Sequence, residues 1–235
     1  MKMVSWIENH LETHYLTHNM YTIREAKKED QAFLILSIIE ADKSSTNICS
    51  YCKLLEIEEL EFKQFLHEIF EEEITGFEFS VEAFVVVEYD GKPIAASASW
   101  IESEDGLPSW QLRMVALRTV LPAIHITNLM GKSAICNTIN IKRSEGTLQI
   151  ESVFISSEHR GKELLKKMID FHIKLRSNNT NNIASMELLT YNSNLLAEKA
   201  YTKIGFKKIE YTTSSHEEIK QFYPSDGMTR WQKII

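Results

Sequence analysis

The sequence predicts an α/β or α+β protein whose sheet contains at least one parallel crossover. Three observations predict it. Strand-like and helix-like segments alternate from Thr147 to the C-terminus, an Asp90-Gly91 turn joins two apolar runs, and 43% apolar with 25% charged residues is the composition of an ordinary globular domain.

Residues Ser5 to His18 have the spacing of a helix, which makes 1–19 an N-terminal helical extension, and Tyr21-Thr22-Ile23-Arg24 alternates like a short strand. Two long helices are expected next. Glu29 to Glu40 carries Ala32, Phe33, Leu36 and Ile39, and Ile57 to Glu71 carries Leu60, Phe65, Leu66, Ile69 and Phe70, both near helical spacing. A polar turn around Lys43 to Asn47 separates them. Ala83 to Glu88 and Pro93 to Ile101 are the arms of a hairpin, because Asp-Gly accepts the backbone angles of a tight turn. Residues 106–146 are mostly helical in character, with a Leu112, Val115, Ala116, Val120 stripe that Pro122 breaks, and form a helical insertion. Strand Thr147–Ile155, helix Gly161–Ser177, strand Ile183–Leu189, helix Asn194–Lys203 and strands Phe206–Thr213 and Met228–Ile235 complete the chain. The 8 Gly and 4 Pro are scattered and no repeat or linker is present, so 1–235 is expected to be a single domain.

The charge balance narrows the function. With 26 Lys and Arg against 33 Asp and Glu the net charge is −7, the wrong sign for a general nucleic-acid binder. No apolar run reaches the roughly 18 residues of a membrane span and no signal-peptide stretch opens the chain, so a cytoplasmic protein without a membrane partner is expected. Three cysteines, Cys49, Cys52 and Cys136, do not make a disulfide scaffold. The Cys49-Cys52 pair has no second pair to complete a zinc site and reads as small residues at a helix start. His10, His14 and His18 would align on a helix, yet lack the order of a zinc-protease motif, so no metal is expected.

The chemistry concentrates late in the chain. Strand Thr147–Ile155 runs into Ser156-Ser157-Glu158-His159-Arg160-Gly161-Lys162 and then into a helix with Leu164, Met168, Phe171 and Leu175 as its buried stripe. A strand, a short basic turn and a helix start can bind an anion through free amides and the helix dipole, with Gly161 allowing close approach. A solvated surface turn is the alternative. Further on, a helix capped by Asn192 or Ser193 ends at Gly205 and sets Asn194, Ala197 and Tyr201 on one face. That face suits an extended ligand, or ordinary packing.

The turn Arg160-Gly161-Lys162 after a strand, followed by Asn194, Ala197, Tyr201, Lys203, Gly205 and Phe206 at these intervals, resembles the GNAT superfamily of acyl-CoA-dependent N-acetyltransferases. The resemblance covers about Thr147 to Lys207. It implies a mixed, splayed central sheet of about six to seven strands flanked by helices. Acetyl-CoA would enter between the strand ending near Ile155 and the next strand. Val153, Phe154 and Ile155 would hold the pantetheine arm, and Arg160, Gly161, Lys162, Glu163, Leu164 and Leu165 would cradle the pyrophosphate. Asn194 and Ala197 would also face the cofactor, with Tyr201 near its sulfur.

Transfer then needs a base, a polarised carbonyl and a proton for the departing thiolate. By simple alternation Glu151 shares a strand face with Gln149, Val153 and Ile155 and resembles the family's frequent general base; the alternative is a solvated or salt-bridged strand carboxylate, with water or another residue as the base. Tyr201 resembles the acid, the alternative being a tyrosine packed against the sheet. The family usually has glycine or alanine where this chain has Glu163 and Leu165. That departure keeps open a second reading, a catalytically silent acyl-CoA-binding or partner-binding protein. The acceptor expected is a primary amine of a small molecule or peptide, cationic if the acidic run Glu68, Glu71, Glu72, Glu73, Glu78 and Glu82 rims its site. The acceptor's identity, a longer acyl donor and the oligomeric state are left open.

Overall fold

The computed structural model describes residues 21–177 and 183–235. The expected N-terminal helix, with His10, His14 and His18, lies outside them. Seven strands form one sheet: β1 (Tyr21–Glu25), β2 (Phe84–Tyr89), β3 (Lys92–Ile101), β4 (Leu148–Ile155), β5 (Ser185–Tyr191), β6 (Lys207–Tyr211) and β7 (Met228–Ile234). Their spatial order is β1-β2-β3-β4-β5-β7-β6. All neighbours run antiparallel except β4 and β5.

Helices α1 (Gln31–Lys43), α2 (Ser50–Leu55) and α3 (Glu59–Glu71) lie between β1 and β2, and α4 (Ser109–Val120), α5 (Ala123–Gly131) and α6 (Ser133–Cys136) between β3 and β4. The parallel crossover from β4 to β5 is made by α7 (Leu164–Ser177). Helix α8 (Leu195–Lys203) joins β5 to β6, and the short α9 (Ile219–Phe222) precedes β7. No helix among the described residues is long and apolar enough to cross a membrane.

Amphipathic patterning decides which side each helix covers. Leu34, Ile38, Phe62, Leu66, Ile69 and Leu117 from α1, α3 and α4 pack with Phe84, Val86, Ala96, Ala98 and Trp100 on one face of the sheet. On the other face Leu164, Met168 and Ile169 of α7 and Tyr201 of α8 meet Val85, Val87, Ala95, Leu148, Ile150 and Leu188. Asp90 and Gly91 take φ of +50° and +73°, the two positive values a tight hairpin turn demands. Pro122 ends one helical run and serves as N-cap of the next, α5. Gly227 is fixed by crowding, since a Cβ there would stand 2.0 Å from the Thr212 carbonyl oxygen.

The polar turn is followed by α2, which Cys49 caps by accepting from the Cys52 amide at 3.4 Å, in keeping with a helix start at that cysteine pair. Two expectations are corrected. Helix α7 starts at Leu164 rather than Gly161, because Gly161 (φ +77°) and Glu163 (φ +60°) are left-handed and cannot be helical. Glu151 does not share a face with Val153 and Ile155. Ser152 has φ +51°, and the register against β3 skips between Ala96–Phe154 and Ala98–Glu151, a β-bulge that shifts the alternation by one residue. Gln149 and Glu151 therefore face the α1 side together with Phe154, whose ring meets Phe33 of α1 at 5.9 Å. Val153 and Ile155 face α7.

Candidate active site

Strands β4 and β5 pair only at Leu148–Met186, Gln149–Glu187 and Ile150–Leu188 and then part. The bulge at Ser152 turns β4 away, so the β5-facing edge of residues 151–155 has backbone groups without a strand partner. Between that edge and α8 a cleft of about 1570 Å³ opens through the sheet.

One half of the cleft lies toward α7 and α8. Val153 and Ile155 line it from β4, with the Phe154 side chain turned to the α1 side of the same cleft, Arg160, Gly161, Glu163, Leu164 and Leu165 from the turn, and Asn194, Ala197 and Tyr201 from the opposite wall. The structure thus brings together residues more than thirty positions apart. Lys162 is the exception: its Nζ sits 5.7 Å from the centre of the Tyr21 ring on β1, outside the lining, held by that ring's electron-rich face. The first backbone hydrogen bond of α7 runs from the Lys167 amide to the Glu163 carbonyl, so the amides of the first turn have no helical acceptor. Arg160 folds its Nε onto the Ile155 carbonyl at 3.0 Å, which brings its guanidinium to the mouth of the cleft. His159 is anchored through Nδ1 to the Tyr21 hydroxyl at 3.0 Å.

The helix cap differs from the expected one. Asn194 itself is the N-cap of α8, its Oδ1 accepting from the Ala197 amide at 3.0 Å, while Asn192 ties the Thr212 carbonyl and Ser193 the Pro224 carbonyl. Asn194 also lines the cleft. Gly205 ends the helix with φ +96°, as its sequence position requires.

Glu163 and Leu165 do not fill the cradle. Glu163 is exposed and Leu165 turns partly into the core against α8. Yet Glu163 holds a left-handed conformation that a glycine would adopt without strain, and puts a carboxylate at the cleft rim. Glu163→Gly is therefore expected to favour an anionic ligand at this turn by about threefold to tenfold at low salt, an advantage that shrinks as salt rises, measured by calorimetric titration.

The other half lies toward α1 and α4, on the face that carries Glu151. Arg143, from the irregular segment before β4, binds the Gln149 Oε1 at 2.7 Å and the Glu151 carboxylate, and stacks 5.1 Å over the Trp100 ring. Burial outweighs this pairing and raises the Glu151 pKa above its ordinary value. Across the opening, Tyr201 is 7% exposed, packs edge-on against Phe206 at 5.7 Å, and finds no hydrogen-bond partner for its hydroxyl among the described residues. Its pKa is raised by burial and, secondarily, by the charge of Glu151. Asp42 accepts from the Ser50 amide at 2.6 Å and the Tyr191 hydroxyl at 3.2 Å, and burial lifts its pKa to about 6.

Of the acidic run only Glu78 enters the cleft; Glu68, Glu71, Glu72, Glu73 and Glu82 are exposed, Glu71 pairing with Lys28. Arg143, Asp42 and Arg113 carry no signal in the sequence, since they lie in a loop, at a helix end and on a helix whose stripe looks ordinary. No cluster of three or more His, Cys, Asp or Glu with metal-holding geometry occurs among the described residues.

No known protein-family profile and no curated protein matches the sequence. Solved structures do. A bacterial N-acetyltransferase from Staphylococcus aureus Mu50 aligns over 91% of this chain and all 100% of its own, with 15% identity and a TM-score of 0.55. A protein described simply as an acetyltransferase aligns over 91% and 99% with 15% identity and a TM-score of 0.57. The chain has the GNAT fold. A mosquito arylalkylamine N-acetyltransferase, like 5b, aligns over 92% and 100% with 13% identity and a TM-score of 0.53. At these identities the likeness to GNAT proteins is one of fold, and the parted β4 and β5 strands of this GNAT sheet are where its cleft lies.

Proposed function

We propose that the protein is an N-acetyltransferase that moves an acetyl group from acetyl-CoA to a primary amine by direct attack in a ternary complex. The observation that carries this reading is the free edge of β4 from Glu151 to Ile155, flanked by the Arg160–Leu165 turn at one end and by Tyr201 across the opening. A free strand edge offers the backbone donors and acceptors that an extended amide-bearing arm such as pantetheine needs. The turn offers amides, a helix N-terminus and Arg160 for a pyrophosphate. The fold neighbours, one of them an arylalkylamine N-acetyltransferase, support an amine acceptor.

Acetyl-CoA supplies an activated acyl thioester. Glu151, directly or through water, takes one proton from the incoming ammonium, and its raised pKa improves it as a base near neutrality. The amine nitrogen forms its bond to the acyl carbon as the carbon–sulfur bond breaks. Tyr201 gives its hydroxyl proton to the departing sulfur and recovers one from the acylated nitrogen, so the net products are the amide, CoA as thiol and one proton. No covalent enzyme species is required.

Acetyl-CoA is expected to bind at micromolar concentration, and Arg160→Glu to weaken it at least about tenfold by reversing a charge at the phosphate turn. Calorimetric titration of both proteins with acetyl-CoA and CoA checks this. Absence of binding at millimolar acetyl-CoA would sink the reading, and the silent alternative with a protein partner would take its place.

A further inference from the structure

We infer that the acceptor half of the cleft is built for an aliphatic diamine, with one amine presented to Glu151 and Tyr201 and the second, still an ammonium, held by Glu78. The inference rests on the acetyltransferase reading for the fate of the first amine only.

Glu78 lies in the segment between α3 and β2, is 2% exposed, and lines the cleft. Its Oε1 accepts from the Tyr51 hydroxyl at 3.1 Å and stands 2.9 Å from Arg113 Nε. Its Oε2 is buried with no hydrogen-bond partner. A carboxylate oxygen removed from water and left unbonded is costly, and a donor N–H from a bound ligand relieves that cost.

The charge inventory selects the sign of the ligand. Asp42, Glu78, Glu102 and Glu151 all line this half of the cleft. The two arginines beside them are already committed, Arg113 to Glu78 and Arg143 to Glu151. Lys142 on the same lining is matched by Glu145 at 3.9 Å, so a ligand carboxylate or phosphate brought here would meet an anionic surplus and no uncommitted arginine, whereas an ammonium would meet Asp42, which no arginine pairs, and the unbonded Oε2 of Glu78. Tyr51 spans them: Asp42 accepts from the amide of neighbouring Ser50, and the Tyr51 phenol reaches Glu78.

The walls fit a short alkyl chain ending in a cation. Tyr51, Phe79, Tyr191 and Tyr223 line the pocket, with Tyr191 and Tyr223 rings 6.3 Å apart. Aromatic faces bury methylene groups and attract a cation. The reacting amine must shed its proton, so it cannot keep the charge that this surplus favours; a second amine can.

The test compares acceptors of equal chain length: putrescine, butylamine and γ-aminobutyrate, with acetyl-CoA and CoA release as the readout. Putrescine is expected to exceed butylamine in kcat/KM at least about tenfold, and γ-aminobutyrate to show no measurable turnover. Glu78→Gln should collapse the putrescine advantage toward unity, chiefly through KM. Should Glu78→Gln fail to fold by circular dichroism, Asp42→Asn serves instead and should reduce the same ratio. Equal turnover of putrescine and butylamine by the unmodified protein overturns the diamine inference while the acetyltransferase reading stands. Putrescine binding by calorimetry that is lost in Glu78→Gln, without acetyl transfer to any amine, overturns that reading and keeps the diamine site.

Discussion

Tyr201→Phe is expected to lower kcat by about 100-fold or more while changing the affinity for CoA by less than about threefold. The phenol is buried and its pKa is raised by burial and by Glu151, so it stays protonated through neutrality and is available as a donor. Phenylalanine keeps the ring's edge-on contact with Phe206 and its place against Ile150 and Leu188, so packing is preserved. Because the hydroxyl has no partner among the described residues, its removal orphans no other group, and stability should change by less than about 1 kcal/mol. A large fall in kcat at constant stability would then report proton donation. Steady-state kinetics beside a thermal melt checks both, and wild-type turnover in Tyr201→Phe would remove Tyr201 from the mechanism.

Acid should destabilise the fold through His172. This side chain of α7 is fully buried between Ser97 and Ser99 of β3, with Nε2 2.9 Å from one hydroxyl and Nδ1 2.7 Å from the other. Burial, reinforced by the nearby charge of Arg176, lowers its pKa from 6.5 to about 3. A folded-state pKa below the unfolded value means that the folded chain resists protonation. The linked stability is therefore whole above about pH 6.5 and is lost as pH falls toward about 3, up to about 4 kcal/mol, or roughly 10 °C in Tm. Asp42 opposes this in part. Its pKa, raised to about 6, favours the folded state at low pH and withdraws that support as pH climbs from about 4 to 6, discounted because Asp42 is only half-buried. His172→Gln, which keeps a hydrogen-bonding amide without the titration, should be less stable than wild type near neutrality and approach it near pH 4. Melts at a series of pH values check this; a gap that stays constant would show that His172 does not titrate on unfolding.

Much of the fold was legible because its strongest signals are local. The apolar stripes of α3 and α7, the Asp90-Gly91 turn and the strand–turn–helix around Gly161 each follow from short-range geometry. The six residues of α2 are too few to show a period, and its cysteine cap has no common signature. The residues that line the cleft from β4, the turn and α8 were legible through their spacing, Lys162 excepted, since nothing in a turn sequence says which way a lysine will swing. The half toward α1 and α4 was not. Glu78 was one glutamate in an acidic run and only tertiary packing buries it, and Arg143 reaches Glu151 from a segment without regular structure. Asn194 was expected on the cleft wall and stands there, and its use as the cap of its own helix was not foreseen.

The bulge at Ser152 changes what chain length means at this point of the strand. Before it, odd-numbered residues of β4 look toward α1; after it, Phe154 does. The extra residue inverts parity, so one strand delivers the polar pair Gln149 and Glu151 to one compartment and Val153 and Ile155 to the other. A single-residue gap here in an alignment with another protein would not be tolerable loop variation. It would exchange the audiences of every side chain beyond it, and two sequences matched without regard to it could agree in letters while presenting opposite surfaces to their substrates.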